Sequence, residues 1–184
     1  MIEKMRLTPS ECVLVIVDVQ ERLAKVMERR SQVVKALAVL IEAARLHQIP
    51  VILTQQYTKG LGPTVEEVAC RLEGVEAVEK ISFSCCLEEP FMKTLDGLGR
   101  RKVILAGMET HVCVLQTALD LLDSGCTVHV PWDAVCSRDD GNRDFGLRFM
   151  ERAGAILTSA ETVAFQILQK AGTPQFKAVS SLLK

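Results

Sequence analysis

The sequence predicts an α/β protein in which helices cover both faces of a mostly parallel sheet. Short β-branched runs alternate with longer helical patterns along all 184 residues. The runs are apolar almost without interruption, which is typical of strands buried on both faces. No repeat or linker separates them, so we expect one domain over residues 1–184. The predicted fold is a three-layer α/β/α arrangement with a doubly wound, mostly parallel, six-stranded and Rossmann-like sheet.

Six apolar runs are predicted to be the strands. They cover residues 12–18, 50–55, 75–80, 102–107, 127–131 and 155–158. The third run is the weakest, because charged residues interrupt it. Four segments between or after these runs are predicted to be helices, at residues 31–48, 110–124, 139–153 and 160–171. In the second of these helices apolar residues recur at helical spacing, and Gly125 follows as a stop signal.

Composition excludes several classes of function. The 22 basic and 23 acidic residues leave a net charge of −1, which gives no overall electrostatic case for a nucleic-acid partner. Seven cysteines without a C-x-x-C pair indicate free thiols in a reducing compartment rather than a disulfide framework. No signal peptide opens the chain, and no apolar run approaches the roughly 18 residues of a membrane span. We therefore expect a cytoplasmic protein with no membrane partner.

Three reactive side chains fall at the carboxyl ends of predicted strands. Asp18 ends the first run, Lys80 ends the third, and Cys113 lies just past the fourth, in the first turn of a helix. The unpaired N–H groups and dipole of such a helix are expected to lower the pKa of the Cys113 thiol. Singly, these residues have ordinary interpretations as a turn residue, a solvated charge and core filler. Their convergence on one sheet edge favours a nucleophile with an acid and an amine beside it.

Histidine offers no obvious alternative partner for the thiol. His111 lies two positions before Cys113, so on a helix its side chain points to another side. His129 sits inside a strand run and is interpreted as a core or edge residue. A Cys–His pair stays open as an alternative. Because the sequence has no D-x-H or H-x-x-x-H pair, we expect no metal and no other cofactor.

The segments that carry these residues resemble the isochorismatase-like cysteine hydrolase family. They are VIVDVQ (15–20), VEKISFS (78–84), LAGMETHVCV (105–114), DAVCSR (133–138) and TSAET (158–162). The resemblance implies an Asp18–Lys80–Cys113 triad. It also implies a cis peptide bond between Met108 and Glu109, with backbone N–H groups of Glu109 and Cys113 forming an oxyanion hole.

Departures from the family pattern narrow the range of reactions that the chain is expected to catalyse. Nicotinamidases have a metal-binding Asp-x-His stretch after the second strand, where this chain has TQQYTKGLGPT, so that metal-dependent chemistry is not expected. True isochorismatases, which cleave an enol ether, lack the nucleophilic cysteine that Cys113 would supply. The QQYTKGLG loop and the PQFKAVSSLLK tail resemble the isochorismatase domain-containing subgroup, whose substrates are largely unassigned.

The hypothesis from the sequence is hydrolysis of a small amide-type C–N bond through a thioester on Cys113. The substrate pocket is predicted to be lined by Gln20, Gln55, Tyr57, Phe83, Met108 and Trp132. A small-molecule substrate and a homo-oligomer are expected, with residues 179–183 packing on a neighbouring copy. The alternative is a catalytically idle, oligomeric binding or scaffold protein of the same fold.

Overall fold

Parallel strands form one central sheet. The structure is a computed structural model and describes residues 2–183. Its strands are β1 (Cys12–Val17), β2 (Val51–Gln56), β3 (Ala77–Lys80), β4 (Lys102–Met108), β5 (Thr127–Pro131), β6 (Val135–Cys136) and β7 (Ile156–Thr158). The strand order is β3-β2-β1-β4-β5-β7, and β6 pairs with β4. Every strand pairing within the described residues is parallel.

The doubly wound parallel α/β fold is therefore confirmed, with one strand more than predicted. Each of the six predicted runs overlaps a strand, and β2 and β4 extend one residue further than predicted. The seventh, β6, is too short at two residues to leave a periodic pattern in the sequence. Its pairing with the end of β4 extends the sheet next to the segment that carries Cys113.

Helices connect the strands. They are α1 (Ile2–Met5), α2 (Glu21–Ala24), α3 (Arg30–Leu46), α4 (Thr58–Leu61), α5 (Glu66–Ala69), α6 (Glu89–Leu98), α7 (Leu115–Asp123), α8 (Asp140–Ala153), α9 (Ala160–Leu168) and α10 (Pro174–Ser181). The four predicted helices correspond to α3, to α7 with the π-helical turn Thr110–Val114 before it, to α8 and to α9. The prediction lacked the other six, which are α1, α2, α4, α5, α6 and α10.

Two apolar clusters give the molecule its layers. On one face of the sheet, α3 and α9 bury residues such as Leu37 and Val163 against β1 and β4. On the other face, α6, α7 and α8 bury residues such as Phe91, Leu121 and Met150. Because both faces are covered, every residue of β1 and β4 is buried.

The C-terminal helix packs on its own chain. Val179 on α10 is fully buried in a small cluster with residues of α3 and α9, among them Val39 and Ala164. Leu182 and Leu183 pack against the same cluster. This chain's own helices therefore cover Val179, and the expectation that residues 179–183 pack on a neighbouring copy stays a prediction.

The strand order reverses at the boundary between β1 and β4. The chain runs from β1 to β2 and β3 on one side, then returns to β4 and continues to β5 on the other. In doubly wound sheets this point, beyond the carboxyl ends of the strands, is where ligands bind. Asp18 follows β1, Lys80 ends β3 and the Cys113 turn follows β4, so all three residues lie at this edge. None of the helices between residues 2 and 183 has the length and apolar character to cross a bilayer.

Candidate active site

A buried ion pair lies at the centre of the candidate site. The Nζ atom of Lys80 is 2.7 Å from Oδ2 of Asp18, and neither side chain has exposed surface. The hydroxyl of Thr54 donates a 2.7 Å hydrogen bond to the other carboxylate oxygen, Oδ1. Asp18 has a φ of +52°, in the left-handed region that costs a non-glycine residue energy. Such backbone strain is common where a side chain is held for a function.

The Lys80 ammonium is surrounded by oxygen atoms. Besides Asp18, it contacts Oε1 of Gln56 at 2.6 Å and the carbonyl oxygens of Ser82 and Phe83 at 3.1 and 3.2 Å. Burial has the largest single effect and disfavours the charged amine, but the negative charge of Asp18, its hydrogen bond and the two nearby thiols together raise the pKa of Lys80. Lys80 is therefore a permanent cation in this site.

Cys113 lies in the π-helical turn Thr110–Val114 and is 6% exposed. Burial and then the negative charge of Asp18 raise the pKa of the thiol to about 12, while the positive charge of Lys80 opposes them. The prediction that the helix N-terminus lowers this pKa is wrong, because burial and the nearby carboxylate dominate. The resting site holds a neutral thiol beside a carboxylate–ammonium pair.

His111 is turned toward a different partner. Its Nδ1 atom lies 2.9 Å from the hydroxyl of Ser137. His129 is buried in β5, where its Nε2 atom bonds the carbonyl oxygen of Lys4 at 3.0 Å. Both histidines therefore have local structural partners, and the carboxylate of Asp18 lies near enough to Cys113 for its charge to act on the pKa of the thiol.

The segment between β4 and the π-helical turn carries the predicted oxyanion hole. The Met108–Glu109 peptide bond is cis. The carboxylate of Glu109, only 7% exposed, accepts hydrogen bonds from the backbone N–H of Arg138 at 2.9 Å and from its Nε at 3.1 Å. Arg138 thus anchors the peptide plane that precedes the turn. The role of the Glu109 and Cys113 N–H groups stays a prediction.

Two glutamines predicted to line the pocket make hydrogen bonds within the protein. The buried Gln20 amide donates to the carbonyl oxygens of Gln56 and Gly62 at 3.0 and 2.7 Å and accepts the Gln56 N–H at 2.7 Å. Gln55 bonds the hydroxyls of Thr64 and Thr58 at 2.9 and 3.2 Å. It points away from Asp18, because alternate residues of a strand face opposite sides. A part for either amide in the substrate pocket stays a prediction.

Met108, also predicted to line the pocket, lies in the core. Its side chain is fully buried in the cluster beneath α3 and α9, on the sheet face opposite the cluster that contains Cys113. Tyr57 and Phe83 lie beside the site, and each is 55% exposed. The Tyr57 N–H donates to the carbonyl oxygen of Lys80, and the Phe83 carbonyl oxygen accepts a hydrogen bond from the Lys80 ammonium. Their part in a pocket stays a prediction.

Trp132 lies at the end of β5. Its ring is half-exposed and lies 5.7 Å from the Arg143 guanidinium, which also donates to the Trp132 carbonyl oxygen. This contact fixes the ring against α8. A role for Trp132 in binding stays a prediction.

Sequence reasoning missed Thr54, Gln56 and Cys85, all of which lie around the ion pair. Val17 is paired with Thr54 and Lys80 with Gln56 in the sheet register, and Thr54 and Gln56 share one face of β2. The Sγ atom of Cys85 is 3.9 Å from the Thr54 hydroxyl. The alternation of β2 was the available signal, but it could be used only once the register with β1 was known. Across residues 2–183, His, Cys, Asp and Glu side chains form no cluster of three suited to a metal ion.

Together, the doubly wound sheet and the buried acid, amine and thiol at its switch point define the class of the isochorismatase-like hydrolases. The isochorismatase domain model matches residues 12–162. Because the match spans most of the sequence, the chain belongs to the isochorismatase domain family.

Relatives and solved structures agree with this assignment. The chain is 41% identical to a secreted isochorismatase effector, Isc1, of Phytophthora sojae, over 97% of this chain and 87% of that protein. It is 40% identical to isochorismatase domain-containing protein 2 of Rattus norvegicus, over 97% of this chain and 84% of that protein. Among solved structures, it is similar to the MAR1 ribonuclease of Caenorhabditis elegans (TM-score 0.90, 41% identity, 97% and 92% coverage). It is also similar to YcaC of Pseudomonas aeruginosa with hexane-2,5-diol and covalent acrylamide (TM-score 0.90, 25% identity, 96% and 91% coverage).

Proposed function

We propose that the chain is a cysteine-dependent hydrolase that cleaves a small amide-type C–N bond through a thioester on Cys113. One observation carries the proposal: the buried Asp18–Lys80 pair lies so near the Cys113 thiol that both charges shift its pKa. A carboxylate with no exposed surface is a stronger hydrogen-bond acceptor than one in water. The same burial keeps the thiol neutral until a substrate arrives.

Acylation begins with proton transfer from the Cys113 thiol to Oδ2 of Asp18. The sulfur then attacks the amide carbon, and the carbonyl oxygen becomes an oxyanion. Backbone N–H groups of Glu109 and Cys113 stabilise that oxyanion, and removing one such donor typically costs about 3–4 kcal/mol. Asp18 returns the proton to the amine nitrogen, the C–N bond breaks, and a thioester remains.

Deacylation uses the same groups in reverse. Asp18 takes a proton from a water molecule whose oxygen attacks the thioester carbon. The C–S bond breaks, the acid product leaves, and the sulfur recovers its proton from Asp18. Lys80 keeps its charge throughout, because its raised pKa holds it as an ammonium ion. Its role is to stabilise the carboxylate and each transient thiolate by charge.

The geometry favours a small substrate. The ion pair has no exposed surface and Cys113 only 6%, so a bulky or polymeric substrate could not reach the sulfur without rearrangement of the surrounding loops. The YcaC relative carries covalent acrylamide, which is a small amide as well as a thiol-reactive alkene. That adduct supports the view that the active site of this fold accepts small amides.

The decisive experiment measures acyl-enzyme formation. The purified protein is incubated with a panel of small amides, carbamoyl compounds and esters, with isochorismate included. Mass spectrometry of the intact protein then detects an added acyl group, and product release is followed in parallel. We expect an adduct on Cys113 with at least one amide, and no adduct or turnover in Cys113→Ser. Normal turnover in Cys113→Ser would overturn the mechanism.

RNA cleavage is a second candidate, favoured by the name of the nematode relative. Against it stand the net charge of −1 and an aromatic content of 4%, which leave few groups to bind phosphates or stack bases. An idle scaffold is the third candidate. Single-stranded RNA cleaved by wild type but not by Cys113→Ser would favour the nuclease, and no adduct with any compound would favour the scaffold.

The oligomeric state, cellular location and partners of the protein are also proposals. We expect a homo-oligomer in the cytoplasm with a small molecule as its only obligatory partner. Light scattering of the purified protein tests assembly, and fractionation of the source cells tests location. A monomer, or a protein exported from the cell, would correct these expectations without affecting the chemistry of Cys113.

A further inference from the structure

A buried carboxylate lies beside the predicted oxyanion hole. The side chain of Glu109 is only 8% exposed, and the same residue carries one of the backbone N–H groups proposed to bind the oxyanion. Covalent geometry keeps the carboxylate within about 6 Å of that nitrogen in any rotamer. A negative charge at this distance opposes the second negative charge that develops on the carbonyl oxygen. The site therefore requires a positive charge that offsets the carboxylate.

Arg138 supplies that positive charge. Its backbone N–H and its Nε atom both donate to Oε2 of Glu109, at 2.9 and 3.1 Å. Within residues 2–183 this is the ion pair that Glu109 makes. Arg143, a buried cation in the first turn of α8, donates instead to two carbonyl oxygens and to the carboxylate of Asp144. The guanidinium of Arg138 is therefore the cation paired with this carboxylate.

The charge of Glu109 acts on a neighbouring group even with Arg138 in place. Cys136 is the sheet partner of Met108, the residue before Glu109. Burial and then the negative charge of Glu109 raise the pKa of the Cys136 thiol to about 12, although nearby guanidinium groups oppose them. A thiolate and an oxyanion carry the same charge, so a carboxylate that disfavours the first also disfavours the second when it forms close by.

Strand pairing sets the position of Arg138. The short strand β6 pairs with the last two residues of β4, and Arg138 follows β6 by two residues. The side chain of Arg138 is 63% exposed, whereas that of its partner is buried. Replacing Arg138 therefore removes no packed core, but it leaves the charge of a buried carboxylate without a partner.

We propose that Arg138 supports the oxyanion hole by neutralising the buried carboxylate of Glu109. The carboxylate orients the segment before the π-helical turn, because it accepts two N–H groups of Arg138. The guanidinium then offsets the negative charge that this arrangement places beside the hole. Arg138 acts through Glu109 and is a positioning residue. This inference rests on the proposed cysteine chemistry, whose oxyanion the hole would bind.

The first test removes the charge of Arg138 and keeps its hydrogen bonds. In Arg138→Gln the backbone N–H is unchanged and the side-chain amide can still donate to Oε2 of Glu109. With an amide substrate from the panel above, we expect kcat to fall about tenfold, less than the loss of about a hundredfold or more when a whole oxyanion donor is removed. KM should stay within about twofold, because the bound substrate carries no oxyanion.

A double variant distinguishes a role of charge from a role in anchoring. Glu109→Gln/Arg138→Gln removes both charges and leaves an amide oxygen to accept the same N–H groups. If charge matters, its kcat should exceed that of Arg138→Gln about fivefold, a coupling that the double-mutant cycle measures. If Arg138 only anchors the segment, the double variant should be no faster, because neutral groups bond more weakly.

The matched control is Arg101→Gln. Arg101 directly precedes β4, at the opposite end of that strand from Glu109, and pairs with Asp96 on the surface at 3.6 Å. The same charge is lost, but solvent screens it. Arg101→Gln should therefore keep the kcat of wild type.

A second readout needs no substrate. Iodoacetate and iodoacetamide alkylate the same thiolate, but only iodoacetate carries a negative charge. The ratio of their rates at Cys113, followed by peptide mass spectrometry at about pH 9, reports the electrostatic potential beside the sulfur and cancels changes in the thiol pKa. We expect this ratio to fall about threefold in Arg138→Gln, the effect of half a pKa unit. It should return toward the wild-type value in the double variant and stay unchanged in Arg101→Gln.

The outcomes are distinct. An unchanged ratio in Arg138→Gln, or a double variant that recovers neither kcat nor the ratio, would overturn the role of Arg138. A raised KM with unchanged kcat would also overturn it, because the guanidinium would then bind the substrate itself. If wild type turns over no compound, the hydrolase is rejected, and the ratio still decides whether Arg138 offsets the charge of Glu109.

Thermal melting of each variant identifies any that has lost its fold. If Arg138→Gln does not fold, Glu109→Gln provides the comparison, because its unpaired guanidinium should raise the ratio of iodoacetate to iodoacetamide alkylation at Cys113. An unchanged or lower ratio in Glu109→Gln would contradict the proposal.

Discussion

Gly107 on β4 lies directly against the backbone of Val17 at the end of β1. A Cβ atom at position 107 would be 2.0 Å from the Val17 carbonyl oxygen and 2.7 Å from its nitrogen. Gly107 also has a φ of +126°, which is open to glycine and strained for other residues. Asp18 follows Val17 directly, so the close approach of β4 to β1 sets the position of the carboxylate.

Gly107→Ala should therefore destabilise the protein and disturb the site. The added methyl group meets rigid backbone, and we expect a loss of at least about 3 kcal/mol in the free energy of unfolding. Urea denaturation measures it. Gly125→Ala is the control, because Gly125 has a φ of +83° with open space around it and should lose only about 1 kcal/mol. Equal losses in the two variants would show that strain in φ, and not the contact with Val17, explains Gly107.

Gly146 on α8 holds the turn that carries Cys113. A Cβ atom there would lie 3.0 Å from Cα of His111, the second residue of the π-helical turn. In Gly146→Ala the higher helix propensity of alanine should stabilise the folded protein by up to about 1 kcal/mol. This gain should offset the unfavourable close contact of the added methyl group with His111. We expect stability near that of wild type but kcat about tenfold lower, because the turn is displaced. Gly97→Ala, a helical glycine in open space, should keep full activity; a matching loss there would exclude displacement of the turn.

Much of the fold was predictable because burial on both faces leaves continuous β-branched runs. Residues 12–17 and 102–108 are such runs, and both became central strands. The helix α6 was missed although Pro90 at its first turn and the spaced pair Phe91 and Leu95 were available signals. The two-residue β6 leaves no periodic signal, and only pairing with β4 makes it a strand.

The residues of the site that lie at strand ends were predictable from the sequence, whereas the residues around them were not. Asp18 and Lys80 were placed because a parallel sheet gathers its carboxyl ends at one edge. Gln55 lies on the face of β2 opposite Thr54 and Gln56, and the sequence pattern alone did not reveal which face turns toward Asp18. The face of Met108 on β4 was equally hidden. The pKa of Cys113 depended on burial, which the position of a helix N-terminus does not reveal.

His129 should make the folded protein sensitive to mild acid. Burial lowers the pKa of His129 to about 4, against an ordinary value near 6.5. Below pH 6.5 the unfolded chain binds a proton that the folded chain refuses, so stability present above that pH is lost as the pH falls toward about 4. The loss approaches about 3 kcal/mol. His129→Gln, which keeps a donor for the Lys4 carbonyl oxygen, should flatten this part of the stability curve. An unchanged slope in urea titrations between these pH values would assign the effect to other groups.

Asp18→Asn should change two properties of Cys113 in opposite directions. Removing the negative charge that raises the thiol pKa should increase alkylation by iodoacetamide at about pH 9 by tenfold or more, the effect of one pKa unit. Turnover should fall at least about a hundredfold, because the amide cannot take the thiol proton. The variant also leaves Lys80 buried without its partner, which costs about 3–5 kcal/mol, so both rates are measured well below its melting temperature.

The opposite signs are what distinguish a base from a structural residue. If Asp18 only held the loop in place, its loss would loosen the site and lower turnover without a specific gain in thiolate. The control is Asp96→Asn, at an exposed carboxylate that pairs with Arg101 at 3.6 Å on the surface. Removing that charge should alter neither rate, because solvent screens it. Alkylation and turnover that decline together in Asp18→Asn would mean that the carboxylate supports the architecture of the site and that another group accepts the proton from sulfur.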